Sequence, residues 1–337
     1  MKFCDALAGK AVWPPPLWLM RQAGRYLPEY RAIRAKAKDF VALCLNPALA
    51  EEVTLQPIRK FGFDAAILFS DILILPMALG QGLRFAEGEG PLLPPLQSLN
   101  TLQLAQAASI YAPVIETVSR VRQSLTKDTA LIGFAGGPMT VACYMLDGKG
   151  GGNFPRTRQL AYEKPEFVEA LLDILVEASI DYLSAQIEAG ADCVMLFESW
   201  AGIFPPVQFQ KFVITPNRKI SAALKAKHKG VKIIGFPRLA GLMLGAYAAG
   251  AGVDVVGLDS VTGLSAARAA CAPGTVFQGN LDPLLLKLGG SPLEQAVNAL
   301  LDEVRGFPHI LNLGHGITPD VPEANVARLI ELVRQRG

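Results

Sequence analysis

Eight short apolar runs, several of them rich in β-branched residues, recur along this 337-residue chain and alternate with stretches of helical periodicity. The runs are Leu17–Met20, Ala65–Phe69, Ala130–Phe134, Cys193–Phe197, Lys232–Phe236, Val255–Leu258, Val276–Gln278 and Ile310–Leu313. Each has few charges, as strands buried on both faces require, and such strands belong to parallel sheets covered by helices. Eight of them predict a closed (β/α)₈ barrel, a TIM barrel, occupying residues 1–337 as one domain. A doubly wound open sheet is the alternative. Helix punctuation supports the alternation. Asn46-Pro47 offers an N-cap and Pro at N1, with Gly62 to close that helix. Pro165 opens a long amphipathic stretch ending near Gly190. Ser291-Pro292-Leu293-Glu294 reads as a capping box closed by Gly306.

Composition narrows the class. Hydrophobic residues make up 51% and charged residues 18%, enough for a large core and too apolar for disorder. The net charge of +2 gives no reason to expect a nucleic-acid partner. Its distribution is uneven. Residues 1–40 hold eight Lys/Arg against three Asp/Glu, and the remainder holds 24 against 27. Cys4, Cys44, Cys143, Cys193 and Cys271 are odd in number and widely spaced, so neither a disulfide framework nor a zinc knuckle is expected. The N-terminus lacks a signal-peptide core. The uncharged run from Thr129 to Leu146 carries Gly136-Gly137-Pro138 at its centre. It reads as strand, turn and helix start rather than a membrane span. The expected location is cytoplasmic.

In a barrel the chemistry sits where strands end at their C-termini. The residues there are Arg21-Gln22-Ala23-Gly24-Arg25-Tyr26, Ser70-Asp71, Gly136-Gly137-Pro138-Met139-Thr140 with Tyr144 a helical turn on, Glu198-Ser199-Trp200, Asp259, Asn280-Leu281-Asp282 and Gly314-His315-Gly316. Two arginines on a Gly-containing loop suit carboxylate or phosphate forks, although bracing of nearby acids is the plainer use. Asp71 follows Ile67-Leu68-Phe69, which puts a carboxylate at the mouth of an apolar pocket, or caps the next helix. Tyr144 is equally readable as core and Ser199 as a turn residue. Ser199 lacks a G-x-S-x-G elbow. No H-x-C, H-E-x-x-H or paired-Cys motif favours a metal, and no G-x-G-x-x-G or P-loop favours a nucleotide.

Met20-Arg21-Gln22-Ala23-Gly24-Arg25-Tyr26-Leu27-Pro28-Glu29-Tyr30-Arg31 resembles the first signature of the uroporphyrinogen decarboxylase family. Gly133 to Thr140, with Tyr144, resembles the second. The stretches Phe69–Leu73, Phe197–Ser199, Gln278–Pro283 and Asn312–Gly316 are similar to that family in the same order. The resemblance implies a cytoplasmic homodimer with neither metal nor organic cofactor. It converts the four acetate side chains of uroporphyrinogen III to methyls, giving coproporphyrinogen III for haem synthesis. It further implies that Asp71 is the central carboxylate beneath the pyrrole N–H groups and that Arg21, Arg25 and Arg34 engage substrate carboxylates. Gln22, Ala23 and Gly24, with Tyr144, Ser199 and His315, complete the binding shell. Asp71 and Arg21 are the catalytic candidates, Arg21 as a proton relay. An Arg with a pKa above about 12 is a poor general acid, which leaves a bound water or a substrate carboxylate as the alternative donors. Two positions depart from the family's usual pattern: Arg238-Leu239 stands where Lys-Gly is usual, and Ser260 where Trp is usual. The rival readings are a corrinoid- or thiol-dependent methyltransferase on the same barrel, whose zinc needs Cys and His ligands that this sequence does not readily supply, and a non-catalytic tetrapyrrole-binding protein.

Overall fold

The computed structural model describes residues 1–86 and 90–337. Seven strands form one parallel sheet whose spatial order is their order in the chain: β1 (Ala65–Ile67), β2 (Ala130–Gly136), β3 (Cys193–Glu198), β4 (Lys232–Pro237), β5 (Val255–Gly257), β6 (Val276–Leu281) and β7 (His309–Leu313). The register runs Ala65 beside Ala130, Ile132 beside Cys193, Cys193 beside Lys232, Ile234 beside Val255, Val255 beside Val276, and Phe277 beside His309. Every residue of β2, β3 and β7 is buried, which is why these segments read as unbroken apolar runs rather than alternating ones. Helices cover the sheet, among them Pro47–Phe61, Ala107–Ser124, Pro165–Glu188, Thr215–Lys227 and Glu323–Arg334. A small antiparallel ribbon pairs Arg84–Ala86 with Gly90–Leu92.

The expected strand at Leu17–Met20 is not one, and the sheet is curled and seven-stranded rather than a closed eight-stranded barrel. The reason lies in what takes this segment's backbone groups. Leu17 makes a single parallel bridge to Leu311, and Trp18 N–H donates to the Leu311 carbonyl at 3.3 Å. Beyond that, side chains replace the ladder. The Leu17 N–H goes to Asp64 Oδ2 at 2.8 Å and the Met20 N–H to Asn312 Oδ1 at 2.9 Å. On its other side, Asp64 N–H donates to the Leu17 carbonyl at 3.0 Å. The apolar run is nonetheless core: Leu17, Trp18 and Leu19 have no exposed surface.

Local signals are borne out in part. Asn46 Oδ1 accepts the Leu49 N–H at 3.1 Å, and Gly62 closes that helix at φ 67°, a left-handed conformation glycine adopts without strain. Residues 129–146 do form strand, turn and helix. The capping box at Ser291 does not form. Its helix already begins at Gly290, so Ser291 lies inside the first turn and its hydroxyl accepts from Gln295 Nε2 instead. All five cysteines are free.

The two ends of the sheet differ in electrostatics. At the N-terminal end, three aspartates each accept a backbone N–H and pair with a cation. Asp64 binds Leu17 N–H and Arg334, Asp192 binds Leu131 N–H and Arg122, and Asp254 binds Ile233 N–H with Lys225 and Lys232. Charge there is consumed in holding strands. At the C-terminal end, cations are left over.

Candidate active site at the carboxyl ends of the strands

The loop after Met20 is built around Gln22. Its side chain, wholly buried, accepts the Leu19 N–H at 3.0 Å and donates to the Ala65 carbonyl at 3.1 Å, while its own carbonyl accepts from Tyr26 Oη at 2.8 Å. The Gln22 side chain is therefore spent inside the fold. Gly24 is needed because a Cβ there would stand 2.9 Å from the Arg21 carbonyl oxygen. The loop forces Arg21 into the left-handed region at φ 64°, a conformation that disfavours a residue with a Cβ. Its exposed side chain lies along Gly316, where an added Cβ would overlap Arg21 Cδ and come within 2.7 Å of Cγ. Arg31 reaches back to the carbonyls of Arg25 and Tyr26 at 2.7 and 3.0 Å and braces the loop, leaving the Arg25 side chain exposed.

Asp71 lies beyond β1, after Phe69, whose ring packs edge-on against Tyr30 and Phe40 at 5.7 and 5.8 Å. One carboxylate oxygen accepts the Leu73 N–H at 2.8 Å, so the helix-entry role is real. The other has no hydrogen-bond partner among the described residues. Burial raises this carboxyl above its ordinary value, and the Leu73 N–H and the Arg21 charge pull the other way. Asp71 and Arg34 both act on the buried Cys44 thiol, while Arg34 and Arg25 both act on the Tyr30 hydroxyl. Of the arginines in the N-terminal excess, Arg21 acts on Asp71 itself, and Arg34 acts on the Cys44 thiol, as Asp71 does. Arg34 ends the helix Pro28–Arg34 and is half-buried, with one long contact to the Ala37 carbonyl at 3.4 Å. Among the described residues, no carboxylate pairs with Arg21, Arg25 or Arg34.

Tyr144 rises from the helix Pro138–Asp147 and is close enough to Asp71 and Arg21 to feel both charges; burial raises its hydroxyl. His315, after β7, is half-buried with Nδ1 unpartnered. Burial, then the charges of Arg21 and Arg238, hold the imidazole at about 4, so it is neutral near pH 7. Ser199 is half-buried after β3, and its carbonyl faces Arg238 Nη1 at 3.5 Å. Ala23 and Gly24 are half-buried in the first loop.

Other polar groups at these strand ends turn inward. Glu198 is fully buried and accepts from Met139 N–H (3.3 Å), Thr140 N–H (3.0 Å), Thr140 Oγ1 (2.8 Å) and Asn217 Nδ2 (2.9 Å). It anchors the start of the Tyr144 helix, and a Cβ at Gly137 would overlap it. Burial outweighs the donors and pushes its carboxyl up to about 7. Asp259 organises its loop by accepting from Leu239 N–H (2.5 Å), Val261 N–H (3.2 Å) and Thr262 Oγ1 (2.8 Å). Asp282 caps the helix Pro283–Leu288 through the Leu284 N–H. The departures from the expected pattern shape this rim: Leu239 sits at φ 60° with 43% of its surface exposed, and Ser260 packs against Gly314. Arg238 stands directly after the Phe236-Pro237 end of β4, where the sequence marked it only as a departure from the family pattern. Among the described residues, no group of three His, Cys, Asp or Glu is arranged to hold a metal ion.

Known proteins agree with this chain in sequence and in fold. A uroporphyrinogen decarboxylase from Acidiphilium cryptum is 60% identical over 333 residues, covering 97% of this chain and 92% of that protein. One from Granulibacter bethesdensis is 54% identical, covering 97% of each. Among solved structures, a methyltransferase from Methanosarcina mazei superposes with a TM-score of 0.82 over 99% of this chain and 97% of its own. At 20% identity it shares the fold alone. The family model described as uroporphyrinogen decarboxylase (URO-D) matches residues 1–336, the span that carries Arg21, Asp71, Tyr144, Ser199 and His315 together, and this chain belongs to that family.

Proposed function

We infer that the chain is a uroporphyrinogen decarboxylase, a carboxy-lyase of haem biosynthesis that converts the four acetate side chains of uroporphyrinogen III to methyls and releases CO₂. The observation that carries the site assignment is Asp71: a carboxyl raised by burial, with one oxygen unpartnered among the described residues, within reach of the charge of Arg21, which has no acidic partner among them. The substrate fits both features. It brings pyrrole N–H donors for Asp71 and carboxylates for Arg21, Arg25 and Arg34.

Loss of CO₂ from an acetate leaves an electron pair that needs a sink. Protonation of the adjacent pyrrole carbon supplies one, because the ring nitrogen becomes cationic and accepts the pair. Asp71 stabilises that developing charge from a position fixed in advance by its turn with Leu73. The released methylene then takes a proton to become a methyl, and the ring carbon returns its own. Arg21 orients the leaving carboxylate and the proton source beside the ring. Tyr144, Ser199, neutral His315 and the loop at Gln22, Ala23 and Gly24 complete the pocket. Gln22 contributes by holding the loop.

Leu17–Met20 lies between β7 and β1, bonded to both sides, and acts as the irregular eighth stave of one (β/α)₈ domain over residues 1–337. No helix among the described residues is long and apolar enough to cross a membrane. The family reading makes the protein a cytoplasmic homodimer. Neither metal nor organic cofactor enters this chemistry. The test is anaerobic incubation of purified protein with uroporphyrinogen III, followed by oxidation and separation by carboxyl number. Stepwise appearance of seven- to four-carboxyl products supports the reading; persistence of the octa-acid in folded protein overturns it.

A further inference from the structure

Arg238 follows β4 and is half-buried, yet among the described residues it has no acidic partner. Its guanidinium carbon lies 5.8 Å from the centre of the Trp200 ring. The guanidinium's one hydrogen-bond contact among the described residues, Nη1 to the Ser199 carbonyl, is at the 3.5 Å limit, so most of its N–H donors have no acceptor among them. Trp200 in turn packs edge-on against Phe154 at 4.9 Å, and Phe154 against Tyr144 at 6.0 Å. A continuous row therefore joins Arg238 to Tyr144. On its other side, Arg238 acts on the same His315 imidazole as Arg21. A guanidinium partly withdrawn from water and lacking a counter-ion is a ready partner for an incoming carboxylate. Here the planar guanidinium lies beside the Trp200 face with most of its donors free, a form suited to a carboxylate.

We propose that Arg238 is a further substrate-binding residue, forming a carboxylate subsite on the β4 side of the mouth that takes an acidic side chain of the tetrapyrrole beyond those met by Arg21, Arg25 and Arg34. The proposal rests on the decarboxylase reading. An octa-acid presents more carboxylates than three arginines neutralise. The Trp200 face lies beside the fork, and Lys would keep the charge without the fork or the stack.

Steady-state kinetics of the full chain with uroporphyrinogen III, run anaerobically on wild type, Arg238→Met and Arg238→Lys, test this. Met keeps an apolar stem against Trp200 and removes the charge. Loss of a charge-assisted contact to substrate should raise KM roughly 10- to 100-fold in Arg238→Met with kcat within about threefold, and Arg238→Lys should fall between. Melting temperatures close to wild type confirm folded variants. A wild-type KM in Arg238→Met overturns the proposal. So does a lower kcat at unchanged KM, the result expected if the guanidinium only props Trp200. If the wild type does not turn over, the reaction assignment fails instead. Quenching of protein fluorescence by uroporphyrin, the oxidised octa-acid, then still decides for Arg238: binding about tenfold weaker in Arg238→Met supports the subsite, and equal binding overturns it.

Discussion

The Arg21 side chain lies directly on the backbone of Gly316, so closely that a methyl group at Gly316 would overlap its Cδ. The loop after β7 thus forms a wall for the arginine that follows Met20. Gly316→Ala should displace Arg21 and lower kcat/KM by about tenfold or more, since small misplacements of a positioned group are expensive in rate. Steady-state kinetics alongside a thermal melt checks this. An unchanged kcat/KM would show that the wall has no positioning role.

Arg21 and Leu239 share a left-handed backbone, at φ 64° and 60°, and the same substitution should separate function from strain. A left-handed residue with a Cβ costs about 1–2 kcal/mol, offset by the roughly 0.5–1 kcal/mol of extra freedom that glycine loses on folding. Leu239→Gly should therefore raise the unfolding free energy by up to about 1.5 kcal/mol with activity little changed. Arg21→Gly should hold or raise stability in the same way while turnover falls by about 10² or more. Urea titration of both variants, paired with activity, is the measurement; a destabilised Leu239→Gly would contradict the strain assignment.

Glu198 gives the fold a pH dependence of unusual sign for a carboxyl. Its folded-state pKa is about 7 against an ordinary 4.5. Below about 4.5 the group is protonated in both states. As pH rises from there, the unfolded chain releases the proton while the folded one resists, so stability falls, and the loss is complete above about 7. The loss is on the order of 3 kcal/mol. Burial holds His309 and His315 at about 4, so their contributions rise with pH across the same window, and the contribution of Glu198 is read as a difference: the unfolding free energy of wild type minus that of Glu198→Gln should decline from about pH 5 to 8. Parallel profiles would place the titration elsewhere.

Much of this was legible because it depends on short-range pattern. Seven of the eight apolar runs are strands, and the residues just beyond the runs include Asp71, Arg21, Tyr144 and His315. What was not legible depends on partners distant in sequence. Leu17–Met20 has a strand's composition, but Asp64 and Asn312 side chains take N–H groups that a ladder would use. Gln22 stands between the expected binding residues Arg21 and Arg25 and is consumed by Leu19 and Ala65. Ser291 heads a correct capping pattern, yet the helix starts before it. The surroundings of Arg238 depend on Trp200 and Ser199, distant from it in sequence.

Asp71 is the centre of the proposed chemistry, and its replacement is the most direct test. Asn keeps the side-chain oxygen that accepts the Leu73 N–H but removes the charge. Single-turnover decarboxylation of uroporphyrinogen III should slow by about 10²–10³ in Asp71→Asn, with folding intact. The wild-type rate should fall on acidification at a pH above the ordinary carboxylate range, because burial raises Asp71. A folded Asp71→Asn that decarboxylates within about threefold of wild type would contradict the claim that this carboxylate stabilises the cationic ring.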